Sequence, residues 1–301
     1  MESKYQRTET RPFRARGRGG YQRRGQRTSE GEYSDGKDLA TESAAPKIPD
    51  TPTTAQFRAI ADALDAKNDL FEFLVKNSRD TTIEAKRIIF LLLRCGGLSR
   101  ESLEVHQILT DAKERLRMLQ NSCMRAIARE IAADDPNLFS RAFSPGLQEY
   151  VEALTLYHFL DSGILVGLEE AQKDLTFTDE NAQQSYQLPV SPVNFLLGIG
   201  DLTGELMRYS ITQASSATAR DAVFQLCDFA RAVLVEYQRV PYGIAGKDFP
   251  IKLNVMKQSV FKIERVCYQL ALRQAENLPA LPAYLVKVDS DGPEDAADRF
   301  Q

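Results

Sequence analysis

The stretch that decides the fold is IEAKRIIFLLLR, residues 83–94, in which six large apolar side chains follow one another at 88–93. It continues a segment, residues 57–75, whose apolar side chains recur at helical spacing, and it ends at Gly96 and Gly97. A helix that is apolar all round must be buried on more than one side. We therefore predict a long helix whose surface is closed partly by the rest of the chain and partly by a partner.

The same helical period runs through most of the remaining sequence. We find no alternating pattern of useful length that would indicate a strand, and residues 176–190 read as a polar loop. Ser144 and Pro145 are typical of the cap and first turn of a helix. The fold class is predicted to be all-α, a bundle of about seven helices over residues 57–94, 99–133, 145–161, 164–174, 192–213, 217–239 and 249–273.

Charge divides the chain into a basic beginning and an acidic body. Residues 1–28 hold nine basic and two acidic side chains, whereas the other residues hold 29 basic and 40 acidic ones. Residues 1–50 also carry few large apolar side chains, so burial cannot offset the entropy of ordering them. We predict a disordered Arg/Gly-rich arm over 1–50, a helical domain over 51–280 and an acidic flexible tail over 281–301.

Cysteine and histidine usage bears on metal chemistry and on the cellular compartment. The four cysteines, Cys95, Cys123, Cys227 and Cys267, lie far apart, and the chain has only two histidines. This count argues against a zinc site, and the apolar surroundings of the last two cysteines predict buried thiols. No apolar run approaches 18 residues and no signal-like segment opens the chain. We expect an intracellular protein without disulfides.

Two pairs of carboxylates are the candidate functional residues. Glu149 and Glu152 are three residues apart in GLQEYVEA (146–153), and Asp201 and Glu205 are four apart in LLGIGDLTGELMR (196–208). On a helix each pair lies on one face. If the two faces meet, they form a cluster of hard oxygen ligands suited to Mg²⁺, an ion that supports nuclease chemistry.

The second pair lies in an unusual context, because Gly198, Gly200 and Gly204 accompany it within a helix. A helical glycine costs roughly 0.8–1 kcal/mol relative to alanine, and it is tolerated where another backbone or a ligand approaches closely. We therefore expect this pair to lie at a helix contact. Crowded acids need a cation, for which either a metal ion or an arginine such as Arg208 or Arg125 would serve.

Four segments together resemble a known family. They are GLQEYVEA (146–153), LLGIGDLTGELMR (196–208), KQSVFKIERVCY (257–268) and SRDTTIEAKRIIF (78–90). On these motifs the chain resembles the translin family, specifically its translin-associated factor X, or Trax, branch. The resemblance covers about residues 55–275 and excludes the arm and the acidic tail.

This resemblance implies a translin-like helical bundle that assembles with translin into a hetero-octamer. It further implies a catalytic subunit of a Mg²⁺-dependent endoribonuclease for single-stranded RNA, with Mn²⁺ as a second ion and single-stranded DNA as a second ligand. The family's catalytic and metal-binding acids match Glu149, Glu152 and Asp201, and Glu205 lies where a further metal ligand is expected. Family roles are passenger-strand removal in RNA interference and tRNA precursor processing. The alternative is a noncatalytic scaffold that stabilises translin and binds nucleic acid.

The histidines favour metal chemistry over metal-free ribonuclease chemistry. A metal-free ribonuclease needs two histidines, or a histidine with a lysine, as general acid and base. His158 lies six residues after Glu152 and therefore faces a different side of the helix from that acid; His106 is the other histidine. We accordingly expect a metal-activated water to attack the phosphate and to leave 5′-phosphate and 3′-hydroxyl ends.

A polyanionic substrate also requires positive charge near an acidic body. The candidate nucleic-acid-binding residues are Lys86, Arg87, Arg125, Arg129 and Arg208, whose simpler interpretation is salt bridging on helix surfaces. The segment RPFRARGRGGY (11–21) resembles an RGG segment that contacts single-stranded RNA, and alternatively it is a solubilising tail. With Arg23 and Arg24 it also suggests nuclear import, so we expect both cytoplasmic and nuclear localisation.

Overall fold

The computed structural model describes residues 51–276 apart from 134, 180–183, 216–219, 242 and 244–245. The predicted arm over 1–50 and the predicted tail over 281–301 lie outside the described residues. The described chain is helical almost throughout, which confirms the all-α fold class. Its elements are α1 (Pro52–Leu93), α2 (Leu103–Leu119), a π-helical turn (Gln120–Met124), α3 (Arg125–Ile131), α4 (Pro136–Ser162), α5 (Leu168–Asp174), β1 (Thr176–Asp179), β2 (Gln184–Gln187), α6 (Pro192–Gln213), α7 (Arg220–Gln238) and α8 (Asp248–Ala275).

Helix α1 is one continuous rod of 42 residues, about 63 Å long at 1.5 Å per residue. It begins at a capping box, in which the Thr51 side chain accepts from the Thr54 N–H and the Thr54 hydroxyl accepts from the Thr51 N–H. The first half is largely exposed, and burial begins at Leu74. The second half packs on α4 and contributes Ile88, Ile89 and Leu92 to the core.

Helix α4 begins nine residues earlier than predicted, at Pro136, where the Asp135 side chain caps it by accepting from the Asn137 N–H. The prediction that Ser144 and Pro145 start this helix is therefore wrong, because Pro145 lies inside it. Proline cannot donate a helical hydrogen bond and normally disrupts the turn around it. Here Ser78 of α1 supports that turn.

The Ser78 hydroxyl accepts from the Gly146 N–H at 3.0 Å and donates to the Phe143 carbonyl at 3.4 Å. Gly146 is required at this contact, since a Cβ there would lie 2.5 Å from the Ser78 carbonyl oxygen. The glycine that opens the first acidic motif thus allows α4 to approach α1, and this contact fixes where the acids of α4 lie relative to α1.

Two further differences from the sequence-based expectations are local. The helix predicted over 99–133 begins at Leu103 after an N-cap at Ser102 and contains the π-helical turn. The predicted polar loop over 176–190 contains an antiparallel hairpin, β1–β2, in which Phe177 pairs with Tyr186. The sequence did not indicate it because each strand has only four residues. The Tyr186 hydroxyl accepts from Arg125 Nε at 2.9 Å, which ties the hairpin to α3.

The predictions for Cys227 and Cys267 are confirmed, since both thiols are buried and free. Burial raises the pKa of the Cys267 thiol to about 12, so it is protonated and unreactive at neutral pH. No helix of the described residues is both long and apolar enough to span a membrane.

Candidate metal centre

The four predicted acids come from two helices in direct contact, Glu149 and Glu152 from α4 and Asp201 and Glu205 from α6. The close approach depends on Gly198. A Cβ at that position would lie 2.7 Å from Val151 Cβ and 2.9 Å from the Gln148 carbonyl oxygen. The expectation that the second acidic pair lies at a helix contact is therefore confirmed.

The other two glycines of α6 behave differently from each other. A Cβ at Gly200 would lie 2.8 Å from the Tyr237 hydroxyl and 3.2 Å from Cβ and Cδ of Lys252, so this glycine admits side chains from α7 and α8. A Cβ at Gly204 would meet nothing within 4 Å. No part of the described chain therefore requires a glycine at position 204, and the approach of a ligand there stays a prediction.

Glu152 is the buried member of the group, with only 7% of its surface exposed. Burial and, to a lesser extent, the neighbouring charges of Asp201, Glu149 and Glu205 together raise the pKa of its carboxyl group to about 8, against a smaller opposing effect of Lys86. All four predicted acids are thus close enough to repel one another. This repulsion means that the group would be stabilised by added positive charge.

Glu149 makes contact with a cation through only one of its two oxygens. Its Oε1 accepts from Lys86 Nζ at 2.8 Å. Its Oε2 is buried and has no hydrogen-bond partner among the described residues. The hydrogen bond to Glu149 raises the pKa of Lys86, as do the charges of Glu149, Glu152 and Asp201. Lys86 is therefore a charged lysine at the edge of the acidic cluster.

Each of the two acids of α6 also pairs with a cation. Asp201 Oδ2 accepts a short hydrogen bond from Lys252 of α8, and Glu205 lies 3.1 Å from Arg208 on the next helical turn. Burial raises the pKa of Glu205, whereas Arg208 lowers it. Of the two arginines considered as cationic partners for the acids, Arg208 therefore pairs with one of them. The described contacts of Arg125 are with the hairpin instead.

The described residues contain no group of three carboxylate, histidine or cysteine side chains that is already arranged as a metal site. Glu149 and Asp201 each pair with a lysine instead, Lys86 and Lys252 respectively. The donors nevertheless suit a hard divalent cation such as Mg²⁺. They are four carboxylates: Glu149 has a buried oxygen without a partner among the described residues, and the charge of Glu152 is unfavourable without added positive charge.

The five predicted nucleic-acid-binding residues have different contacts among the described residues. Lys86 and Arg208 contact the acids and expose more than half of their side chains. Arg87 pairs with Glu84 at 3.1 Å, and Arg129 is exposed on α3. Sequence reasoning missed Lys252, which lies five residues before the KQSVFKIERVCY motif. Helical spacing places Lys252 on α8 but gives no information about which helix it faces.

Known proteins resemble this chain along most of its length. The translin family model matches residues 69–274. Translin-associated protein X of Mus musculus is 33% identical over 295 residues, which cover 91% of this chain and 95% of the mouse protein. The Translin-associated protein X homolog of Schizosaccharomyces pombe is 28% identical over 224 residues, which cover 73% of this chain and 89% of the yeast protein.

Two solved structures, described as apo-NeC3PO and AfC3PO, share the fold. Their TM-scores are 0.54 and 0.50 at 17% and 19% sequence identity. The matches cover 74% and 73% of this chain and 100% and 99% of those chains, respectively. Because the family model matches well over half of the sequence and the mouse relative aligns along nearly all of it, this chain belongs to the translin family.

Proposed function

We propose that this chain is the catalytic subunit of a metal-dependent endoribonuclease that acts on single-stranded RNA within a complex with translin. One observation carries the proposal: Glu149, Glu152, Asp201 and Glu205 from two helices interact electrostatically around one buried carboxyl group. A fold does not require such a group, because it costs stability wherever cations do not compensate it. Passenger strands in RNA interference and tRNA precursors are the proposed substrates, in the cytoplasm and the nucleus.

In this proposal the acidic side chains bind the ion and the basic side chains bind the RNA phosphates. Glu149, Glu152, Asp201 and Glu205 would hold Mg²⁺ or Mn²⁺, with the unpaired Oε2 of Glu149 as one available donor. When bound, such an ion supplies an activated water and neutralises phosphate oxygens. Lys86, which is 53% exposed beside these acids, would attract and orient the phosphate backbone. Arg208, 58% exposed on α6, would do the same on the side of Glu205.

The proposal is tested with the full chain co-expressed with the translin of its own organism. A labelled, unstructured RNA oligonucleotide is incubated with the purified complex in Mg²⁺ and in excess EDTA. We expect internal cleavage in Mg²⁺ only, with 5′-phosphate and 3′-hydroxyl ends. Cleavage that persists in EDTA, or products with 2′,3′-cyclic phosphate ends, would contradict a metal-activated water.

The ion pairs favour a second candidate function, a noncatalytic scaffold. Three of the four acids have a cationic partner, and the Lys86–Glu149 and Lys252–Asp201 pairs each join two helices. Under this alternative the acids serve packing and the complex binds RNA without cutting it. An RNA that is retained intact by the complex in Mg²⁺ would favour the scaffold.

An exposed apolar stripe on α1 supports the proposal that this helix contacts a protein partner. Phe57, Ile60 and Leu64 recur at helical spacing and are 69%, 55% and 61% exposed, and Phe90 near the end of α1 is 62% exposed. Within the described chain Phe90 is exposed, so it belongs to the part of the 88–93 surface that the sequence predicts a partner to close. Contiguous apolar surface of this kind is typical of protein interfaces. We propose that translin covers it.

Expressed alone, the chain is expected to aggregate, and co-expression with translin is expected to give a single soluble species in light scattering. Changing Phe57→Ser together with Leu64→Ser should reduce co-purification, because both side chains are exposed and their loss spares the core. Changing Asp62→Ser with Asp65→Ser on the same exposed stretch is the matched control. A stable, monodisperse monomer in the absence of translin would contradict the prediction.

Deleting residues 1–50 is expected to leave cleavage of a short RNA intact and to weaken binding of a long RNA at low salt. The deletion removes the basic segment over 1–28, so fewer counterions are released from the RNA on binding. The measurement is the slope of log affinity against log salt concentration for the two complexes. The arm does not touch nucleic acid if the two slopes are equal.

A further inference from the structure

Lys252 lies where three helices meet. It projects from α8, and its Nζ donates to Asp201 Oδ2 and to the Leu197 carbonyl oxygen of α6, the latter at 3.0 Å. It also lies 3.4 Å from Gln148 Oε1 of α4, next to Glu149 in the chain. Each proton of the ammonium group therefore has an acceptor, and the charge is fixed in position rather than free at the surface.

The packing around the Lys252 side chain restricts its movement. Cβ and Cδ of Lys252 both lie 3.2 Å from the position that a Cβ would take at Gly200, so the stem lies against the backbone of α6. The Tyr237 hydroxyl lies 2.8 Å from that same position, and the Tyr237 ring stacks on Phe249 of α8. Gly200 therefore creates the space that brings this ammonium group to Asp201.

Lys252 also differs in exposure from the other two cations of the cluster. Its side chain is 20% exposed, against 53% for Lys86 and 58% for Arg208. Ion pairs at exposed positions are weakened by water and salt. Water therefore competes with Lys252 for Asp201 mainly from the side of the carboxylate, whose side chain is 42% exposed.

We propose that Lys252 is a built-in counter-ion that holds Asp201 in the absence of a divalent ion and competes with that ion for the carboxylate. Lys252 thereby sets the ion concentration at which the site fills, and it holds the acids of α6 in place when no ion is bound. This inference rests on the proposed function, since it assumes that Asp201 is a ligand. Under this proposal, a residue that is not itself a ligand tunes the affinity of the acidic cluster for the ion.

The test measures ion binding rather than cleavage. Mn²⁺ is titrated into the full complex, and free Mn²⁺ is followed by electron paramagnetic resonance, with an Asp201→Asn complex as the reference for sites elsewhere. Lys252→Met keeps the apolar stem and removes the charge. We expect it to bind Mn²⁺ roughly tenfold more tightly than wild type, because the site gains one net negative charge and Oδ2 becomes free.

Thermal unfolding gives a second readout that distinguishes competition from a structural role. In EDTA, Lys252→Met should melt at a lower temperature than wild type, because Asp201 loses its partner and the Leu197 carbonyl loses a donor. Its increase in melting temperature on adding Mn²⁺ should be larger than that of wild type. A purely structural lysine would lower the melting temperature in EDTA and weaken ion binding as well.

Two variants serve as controls. Lys257→Met removes the same charge from an exposed position of α8 and should leave Mn²⁺ affinity unchanged. Lys252→Gln is a second neutral variant, whose amide can still donate, in case the methionine variant does not fold. Unchanged or weaker Mn²⁺ binding in the folded neutral variants would overturn the inference alone. A wild-type complex that binds no more Mn²⁺ than Asp201→Asn would overturn the proposed function as well.

Discussion

Changing Glu152→Gln is expected to stabilise the complex in metal-free buffer at pH 8 while abolishing RNA cleavage. Only 7% of the Glu152 surface is exposed, and the pKa of its carboxyl group is raised to about 8 by burial and by three neighbouring carboxylates. The folded wild type must therefore either keep Glu152 protonated or bury its negative charge. The neutral glutamine amide avoids both costs. We expect a gain on the order of 3 kcal/mol in the free energy of unfolding.

The gain should depend on pH in a specific direction. Below pH 4.5, the ordinary value for Glu, the carboxyl group is protonated in both states and the substitution should change little. As pH rises from about 4.5 to about 8, the unfolded state loses the proton first, so wild type loses stability relative to the variant. Chemical denaturation in EDTA at several pH values measures this.

The matched control is Glu130→Gln, which neutralises an exposed carboxylate on α3. It should show no comparable rise in stability between pH 4.5 and pH 8. Adding Mg²⁺ should stabilise wild type and the Glu130→Gln complex more than the Glu152→Gln complex. A Glu152→Gln complex that is less stable than wild type at pH 8 would show that Glu152 is compensated in the folded state, contrary to our account.

Changing Gly198→Ala is expected to destabilise the fold by about 2–4 kcal/mol and to reduce cleavage sharply. The added Cβ would lie 2.7 Å from Val151 Cβ and 2.9 Å from the Gln148 carbonyl oxygen, and the latter is backbone that cannot rotate away. Helices α4 and α6 would have to separate to accommodate it. Because each helix carries one of the acidic pairs, the same movement would separate the ligands.

Gly204→Ala is the control on the same helix, two turns from Gly198 and adjacent to Glu205. A Cβ there meets nothing within 4 Å, so the change should stabilise the helix by about 1 kcal/mol. Denaturant unfolding and cleavage assays on both complexes provide the comparison. Equal effects of the two alanines would mean that the close contact of α4 and α6 does not limit stability.

The sequence predicted most of the helices because their apolar residues follow one period over many turns. Helix α6 was predicted with its observed bounds, 192–213, since Ser191 and Pro192 mark its start clearly. The start of α4 was missed because Pro145 reads locally as a first turn. The interhelical hydrogen bonds of Ser78 that support this proline join residues 65 and 68 positions apart, and local sequence cannot show them.

The candidate site was predictable in part for the same reason. Spacing placed Glu149 with Glu152 and Asp201 with Glu205, and Gly198 indicated a close contact, but only the fold brings the two pairs together. Lys252 lies 51 residues from Asp201, and no local pattern links a lysine to a carboxylate at that separation. The pairing of Lys86 with Glu149 and of Lys252 with Asp201 is therefore a property of the packing of α1, α4, α6 and α8.

The central claim is that the acids of this chain, rather than those of its partner, carry the cleavage chemistry. It is tested most directly by measuring Mg²⁺-dependent cleavage of one unstructured RNA by complexes that carry Glu149→Ala, Glu152→Ala or Asp201→Ala, with Glu130→Ala as the control. We expect all four complexes to assemble, the control to cleave like wild type, and the other three to lose cleavage by several orders of magnitude. Glu205→Ala should impair cleavage to an equal or lesser degree. Full activity in the Glu149, Glu152 and Asp201 variants would contradict the account.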